Sequence, residues 1–201
     1  MATRILSAEF LGSAGPNSPS PNKKNHKEVV VAGRSNVGKS TIINNLLGQS
    51  ISYVSKTPGS TLLVNYFSVK YETDGIAHTF CLVDTPGFGY AKVDFAKREE
   101  LSELISSYFK TSPNLRLGLL LNDIRRNPEE DEITLLKILA ERGVNSLVIA
   151  TKADKVGTND RIKQLKILAN GYGLQSGDIF YSSLKPDLSG VLDRLGYLLN
   201  I

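Results

Sequence analysis

The octapeptide GRSNVGKS, residues 33–40, constrains the fold of this chain more than any other segment. It fits the pattern G-x-x-x-x-G-K-S, whose glycines let backbone N–H groups turn inward around phosphate oxygens. Lys39 is expected to reach the terminal phosphates, and the Ser40 hydroxyl is expected to bind Mg²⁺. A glycine-rich turn with a purely structural role is disfavoured, because the segment lies between a predicted strand and a predicted helix. The predicted ligand contacts are Gly33, Arg34, Ser35, Asn36, Val37, Gly38, Lys39, Ser40 and Thr41.

Short apolar runs alternate with amphipathic segments along the chain, which predicts an α/β fold. The Asp74-Gly75 pair divides residues 61–84 into a predicted hairpin, so one strand must run antiparallel to its neighbour. The predicted strands and helices therefore form three layers: a mixed, mostly parallel sheet with one antiparallel strand at its edge, and helices on both faces. Further strands are predicted over 28–33, 115–123, 146–151 and 178–183, and helices over 40–49, 96–110, 161–170 and from Leu188 onward.

One more helix is predicted from its boundary signals. Asn127 is expected to cap it, Pro128 to occupy its first position and Gly143 to follow its end. In sheets of this kind, ligands bind beyond the carboxyl ends of the strands. The motifs described below fall at those ends.

Composition narrows the class of protein. The chain has 201 residues, 41% of them hydrophobic, which is enough for one domain with a substantial core. The formal net charge of +4 is compatible with RNA contacts and equally with an ordinary basic surface. Cys81 is the single cysteine, so no internal disulfide can form, and a cytoplasmic location is expected. No apolar run of 18 residues is present, so no membrane span is predicted.

The N-terminal residues 1–27 are predicted to form a flexible arm, outside a single domain over 28–201. Residues 12–27 are rich in Gly, Ser, Pro and Asn, which are typical of loops. Lys23, Lys24 and Lys27 could touch phosphates, although a solvated basic cluster is the favoured interpretation. His26 and His78 are isolated, so no zinc site is predicted.

A second motif, DTPG, closes the predicted hairpin, and its residues Asp84, Thr85, Pro86 and Gly87 are predicted to contact the nucleotide. Asp84 is expected to hold Mg²⁺ through water, and the Gly87 N–H to sense a γ-phosphate. Upstream, the loop SKTPGST over 55–61 has the composition of a mobile segment that orders around a γ-phosphate. Thr61 is the candidate for a second hydroxyl on Mg²⁺, although it could be an ordinary loop threonine. Gly59 and Ser60 are predicted to contact the ligand beside it.

The motif TKAD, residues 151–154, points to guanine. A carboxylate at Asp154 can accept hydrogen bonds from guanine N1–H and its amino group, whereas adenine offers no such pair of donors. The Lys152 stem would lie over the base. The following YSSLK segment is expected to offer a backbone N–H at Leu184 to the guanine O6. The predicted contacts of this end are Thr151, Lys152, Asp154, Tyr181, Ser182, Ser183 and Leu184.

Taken together, GRSNVGKST, SKTPGST, VDTPGFGYAKV, NDIRRNPEEDE, ATKADK and YSSLK resemble the EngB family of bacterial GTP-binding ribosome-assembly proteins. The resemblance covers roughly residues 28–200. It implies a P-loop GTPase domain, related to translation factors, that binds GTP or GDP with Mg²⁺ and assists large ribosomal subunit assembly. Its implied partners are that subunit and its rRNA, with no membrane or DNA partner and a monomeric state. Loss of such proteins is associated with defective growth and septation. Thr85 departs from the apolar residue frequent there, and its side chain is expected to point away from the nucleotide.

Phe88 follows DTPG where many GTPases have a glutamine that orients water. A phenyl ring cannot orient water, so the missing function must come from a partner or from a bound cation. Asn36 and the 55–61 loop are predicted to form a K⁺ site, because related GTPases with an apolar residue after D-x-x-G often have Asn at this position. Asn36 could instead only stabilise its loop, and Arg34 is a weaker candidate for an internal arginine finger. The predicted catalytic residues are Asn36, Lys39, Thr61 and Gly87.

Two functional classes remain open. The first is a slow GTPase that acts as a switch. The second is a nucleotide-gated RNA- or ribosome-binding module in which hydrolysis is incidental. For either class, Phe88 and Tyr90 could stack on RNA beside a basic cluster. That cluster comprises Lys92, Lys97 and Arg98.

Overall fold

A computed structural model describes residues 3–15, 18–51, 63–89, 95–183 and 187–200. Seven strands form one sheet in the order β1-β3-β4-β2-β5-β6-β7. The strands are β1 (Thr3–Ala14), β2 (Glu28–Gly33), β3 (Val64–Thr73), β4 (Ile76–Asp84), β5 (Leu115–Asp123), β6 (Asn145–Thr151) and β7 (Ile179–Tyr181). The helices are α1 (Lys39–Leu47), α2 (Phe95–Thr111), α3 (Glu130–Glu141), α4 (Thr158–Tyr172) and α5 (Ser189–Asn200), with short 3₁₀ turns at Ala153–Lys155 and Ser176–Asp178.

The sheet is mixed and mostly parallel, as predicted. Strands β4, β2, β5, β6 and β7 pair in parallel, and β3 pairs antiparallel with both β4 and β1. The predicted hairpin is present: Asp74 and Gly75 join β3 to β4 with φ values of 50° and 81°. The single antiparallel strand β3 is not at the edge, however, because β1 pairs along its outer side.

The prediction of a flexible arm is wrong for Thr3–Ala14, which forms the edge strand β1. The Thr3 backbone N–H donates to Asp193 Oδ1 at 2.7 Å, and the Arg4 guanidinium pairs with Glu72 at 3.0 Å. Phe10 packs on Phe67 with ring centroids 5.4 Å apart. Composition pointed to a loop only over 12–27, whereas the preceding residues have enough apolar and β-branched side chains to pair.

The segment that follows β1 is also tied to the domain. Asn22 is buried and donates through Nδ2 to the His26 carbonyl at 2.8 Å and to Glu28 at 2.9 Å. The Lys27 ammonium donates to the Leu199 carbonyl at the end of α5. Lys27 therefore makes a structural contact within the domain, although it is exposed like Lys23 and Lys24.

Helix α3 begins later than predicted. Its N-cap is Glu129, which forms a capping box with Glu132, and Asn127 instead accepts a hydrogen bond from Gln164 at 3.1 Å. Three consecutive acidic residues in the first turn, Glu130, Asp131 and Glu132, favour this start, because carboxylates stabilise the first turn of a helix. Gly143 follows the end of the helix with φ 65°, as predicted.

Buried apolar side chains cover both faces of the sheet. Helices α2, α3 and α4 pack on one face and α1 and α5 on the other. The central strand β2 is buried along its whole length, which matches its β-branched sequence. No helix in the described part of the chain is long and apolar enough to cross a membrane.

Candidate nucleotide site

The predicted phosphate loop connects β2 to α1 and needs unusual backbone angles. Asn36 has φ 61° and Gly38 has φ 103°, and the helix begins at the next residue, Lys39. A side chain at Gly33 would lie 2.7 Å from the Leu121 carbonyl oxygen, so close packing against β5 requires glycine there. These angles direct the loop around the N-terminus of α1, where backbone N–H groups favour an anion.

The end of β4 lies directly against this loop. The Ser35 N–H donates to the Phe88 carbonyl at 2.8 Å, and the Phe88 N–H donates to the Gly33 carbonyl at 3.2 Å. A Cβ on Gly87 would lie 3.0 Å from both the backbone N and the Cα of Ser35, so a larger residue would require the Ser35 backbone to shift. Gly87 is thus held beside the phosphate loop.

Opposite charges meet at this end of the site. The Lys39 ammonium forms an ion pair with the Asp84 carboxylate, and their side chains are 14% and 8% exposed. Both residues were predicted at the phosphates, one for the anion and one for the metal. The structure therefore brings together Lys39 of the loop and Asp84 of β4, which are 45 positions apart in the sequence.

The end of β6 is attached to the same loop. The buried Thr151 hydroxyl donates to the Val37 carbonyl at 2.8 Å and lies 3.2 Å from the Asn122 carbonyl. The Lys152 ammonium donates to the Asn36 carbonyl at 2.8 Å. The Lys152 side chain therefore extends from the TKAD motif to the phosphate loop.

Strand β7 supports the other side of this motif. The Ser182 N–H donates to the Ala150 carbonyl, and the Ala153 N–H donates to the Ser182 carbonyl, both at 2.9 Å. Asp154 lies in the 3₁₀ turn that follows and pairs with Lys155 at 3.3 Å. Tyr181 is half exposed beneath the Arg161 guanidinium, 5.0 Å from its ring centre. Ser183 is half-buried.

The positions of three predicted residues, Thr85, Arg34 and Phe88, restrict the roles that their side chains can have. The Thr85 hydroxyl donates to the Val31 carbonyl at 2.9 Å in the interior, so this side chain points away from the loop as expected. Arg34 extends to the start of α3 and pairs with Glu129 at 2.7 Å, an arrangement that does not place it as an arginine finger. Phe88 is 7% exposed and packs in the core, so its proposed stacking on RNA is wrong.

Several predicted residues lie outside the described part of the chain: Gly59, Ser60, Thr61, Tyr90, Lys92 and Leu184. Among the residues that are described, no three His, Cys, Asp or Glu side chains cluster as a metal cage. Asp84 and Ser40 could hold Mg²⁺, because Mg²⁺ in nucleotide sites takes one or two protein oxygens and completes its shell with phosphates and water.

The chain is similar to a family of GTPases and to individual bacterial proteins. The family model described as "50S ribosome-binding GTPase" matches residues 28–152. The "Probable GTP-binding protein EngB" of Geobacter metallireducens is 39% identical over 188 residues, 92% of this chain and 87% of the relative. That of Caldanaerobacter subterraneus subsp. tengcongensis is 36% identical over 192 residues, 94% of this chain and 95% of the relative.

The chain belongs to the EngB family. The resemblance drawn from its motifs is thus confirmed, and membership supports GTP binding and hydrolysis in general. A crystal structure of a probable EngB protein is 20% identical and covers 86% of this chain and 98% of its own, with a TM-score of 0.63. Era in complex with MgGDPNP and part of 16S ribosomal RNA is 19% identical, covering 87% and 56%, with a TM-score of 0.62. These two structures support the fold of a P-loop GTPase.

Sequence reasoning did not single out two residues at this EngB-family site, Asp123 and Arg125. Asp123 ends β5, and its carboxylate contacts both Arg125 and Lys152. Hydrogen bonds from Arg125, with further contributions from Lys152, hold the pKa of the Asp123 carboxyl well below its ordinary value despite partial burial. The place of Asp123 at this edge was predictable, since β5 ends at the same edge as β2 and β6. Its contact with Lys152 was not.

Proposed function

We propose that this chain is a Mg²⁺-dependent GTPase that acts as a switch in assembly of the large ribosomal subunit. The observation that carries the proposal is the joining of three motifs at one edge of the sheet. Gly87 is packed on Ser35, and Lys152 is bonded to the Asn36 carbonyl. A ligand bound there would meet a phosphate loop, a γ-phosphate sensor and a guanine-reading carboxylate together.

At the phosphate end, the loop N–H groups and Lys39 would bind the β- and γ-phosphates. Ser40 and Asp84 would hold Mg²⁺, with Thr61 as the proposed second hydroxyl. Mg²⁺ supplies positive charge that neutralises the phosphate oxygens as the terminal bond breaks. The Lys39–Asp84 ion pair keeps both charged groups at this point in the fold, and each would exchange its partner when GTP binds.

At the base end, Asp154 would accept hydrogen bonds from guanine N1–H and the amino group. ATP would leave that carboxylate without donors, so it would bind much more weakly. The Lys152 stem would cover the base, with the Leu184 N–H proposed for O6. The fixed contacts of Thr151 and Ser182 favour this assignment, because they hold the TKAD turn at a set distance from the phosphate loop.

Hydrolysis by this site should be slow when the protein is alone. The Phe88 side chain is buried in the core and carries no polar group, so it cannot orient water. We assign the missing charge to K⁺ near Asn36 or to the ribosome. Asn36 suits a cation site because its left-handed backbone brings it to the exposed rim of the loop.

The biological setting is proposed from the family. The family model is described as ribosome-binding, and its relatives are named EngB GTP-binding proteins. We place this protein in the cytoplasm as a monomer, with the large subunit and its rRNA as partners and with growth and septation affected by its loss. The net charge of +4 is compatible with an RNA partner.

The lack of a water-orienting group at Phe88 also favours a second candidate function, a nucleotide-gated ribosome-binding module in which hydrolysis is incidental. The two functions differ in what the ribosome does to turnover. GTP turnover should be measured in potassium buffer while purified large subunits are titrated, with small subunits as the matched control. Strong acceleration by large subunits alone supports the switch. Flat turnover with nucleotide-dependent binding supports the module, and neither binding nor acceleration would contradict both.

A further inference from the structure

The carboxylate of Asp123 sits where the ends of β5 and β6 meet the phosphate loop. Its side chain is 9% exposed. Arg125 donates to it three times: from its backbone N–H at 3.1 Å and from Nε at 2.9 Å to Oδ1, and from Nη2 at 2.6 Å to Oδ2. This bidentate geometry fixes the plane of the carboxylate.

The same carboxylate contacts Lys152. The Lys152 ammonium lies 3.1 Å from Asp123 Oδ2 and donates to the Asn36 carbonyl at 2.8 Å. Lys152 itself has a left-handed backbone, φ 59°, a conformation that fixes the direction in which its side chain leaves the turn. The ammonium is therefore held between a negative group on β5 and a carbonyl of the phosphate loop.

We propose that Asp123 is a positioning residue that helps to retain the guanine nucleotide. It does so by holding the Lys152 side chain across the base site. Arg125 orients the Asp123 carboxylate. This inference rests on the proposed function, because it assumes that a guanine base lies under the Lys152 stem. Asp123 does not touch the ligand in this scheme.

The ion pair with Asp123 reduces the freedom that the Lys152 side chain must lose when the nucleotide binds. A free lysine side chain has four rotatable bonds, and ordering it on binding lowers affinity. The ion pair with Asp123 orders the Lys152 side chain before the ligand binds. Partial burial protects this ion pair from screening by salt. Removing the negative charge should therefore speed nucleotide release. Arg125 is half exposed.

The test is the rate of GDP release, followed with a fluorescent GDP analogue. Asp123→Asn should release GDP roughly 10- to 100-fold faster than the parent protein, as expected for loss of a charged hydrogen-bonded contact. Asp178→Asn is the matched control, since Asp178 pairs with Arg194 at 2.8 Å away from the site and should release GDP at the parental rate. Parental release by Asp123→Asn would overturn the proposal.

A double-mutant cycle separates positioning from a general structural role. In a Lys152→Met background, Asp123→Asn should cause little further change, because its effect is transmitted through Lys152. Additive effects would overturn the proposal. If Asp123→Asn does not fold, as judged by circular dichroism, Arg125→Gln replaces it in the same cycle. Failure of the parent protein to bind GDP at all would contradict the proposed function instead.

Discussion

The two ends of the candidate site are built on different principles. At the phosphate end, the charged groups Lys39 and Asp84 pair with each other. At the base end, Thr151 and Lys152 bond to backbone carbonyls of the phosphate loop. The first arrangement would have to change if a triphosphate with Mg²⁺ bound as proposed, whereas the second could persist unchanged.

This difference predicts that the two ends have separate roles in binding, and this separation of roles is called the division below. Exchange of partners at Lys39 and Asp84 depends on the charge of the ligand, so this end should distinguish GTP from GDP. The contacts of Thr151 and Lys152 do not depend on the γ-phosphate, so the base end should favour guanine equally in both nucleotides. The predictions below test this division.

Lys39→Ala should have the largest effect. Loss of the ammonium removes a charged contact to the terminal phosphates, so GTP affinity should fall roughly 100-fold or more, and GDP affinity by less. Isothermal titration calorimetry with both nucleotides measures the difference. Lys70→Ala removes an exposed lysine of β3 and should bind both as the parent does. Equal losses for GTP and GDP in Lys39→Ala would contradict the division.

Asp154→Asn should weaken GTP and GDP by the same factor. The amide cannot accept both hydrogen bonds from guanine, so affinity should fall roughly 10- to 100-fold for each nucleotide. Competition binding with GTP, GDP and ATP measures this loss together with guanine preference. Asp160→Asn, an exposed change in the first turn of α4, is the control. Retained preference for GTP over ATP would exclude Asp154 as the guanine-reading group.

Replacement of KCl by NaCl should have a smaller effect, confined to the phosphate end. Since Phe88 cannot orient water, K⁺ near Asn36 should raise GTP turnover by about tenfold over Na⁺ without changing GDP affinity. Phosphate release measured in the two salts tests the expectation. Asn36→Asp retains a cation ligand and should keep the stimulation, whereas Asn36→Leu should lose it. Equal turnover in both salts would exclude a K⁺ site.

Sequence patterns predicted where both ends of the candidate site lie because each motif is local. GRSNVGKS and TKAD each contain their own turn residues and follow a strand, so their positions at the sheet edge could be predicted. The Asp123–Lys152 contact could not, since it depends on β5 lying between β2 and β6. The inward position of Phe88 was also missed, because an aromatic after a glycine suits a surface and a core equally. Strand β1 was missed because the glycine- and proline-rich segment behind it dominated the composition.

Thr151→Val should have the smallest effect and acts on the base end alone. The substitution keeps the shape of a buried side chain and removes the hydroxyl that bonds the Val37 carbonyl. It should lower the free energy of unfolding by about 1 kcal/mol and weaken GTP and GDP equally, by a few-fold. Urea unfolding and calorimetry measure the two changes. Thr111→Val removes an exposed helix hydroxyl bonded to Ser107 and should leave nucleotide affinity unchanged. A loss for GTP that exceeds the loss for GDP would mean that the β6 contact also shapes the γ-phosphate site, and the two ends would then act as one unit.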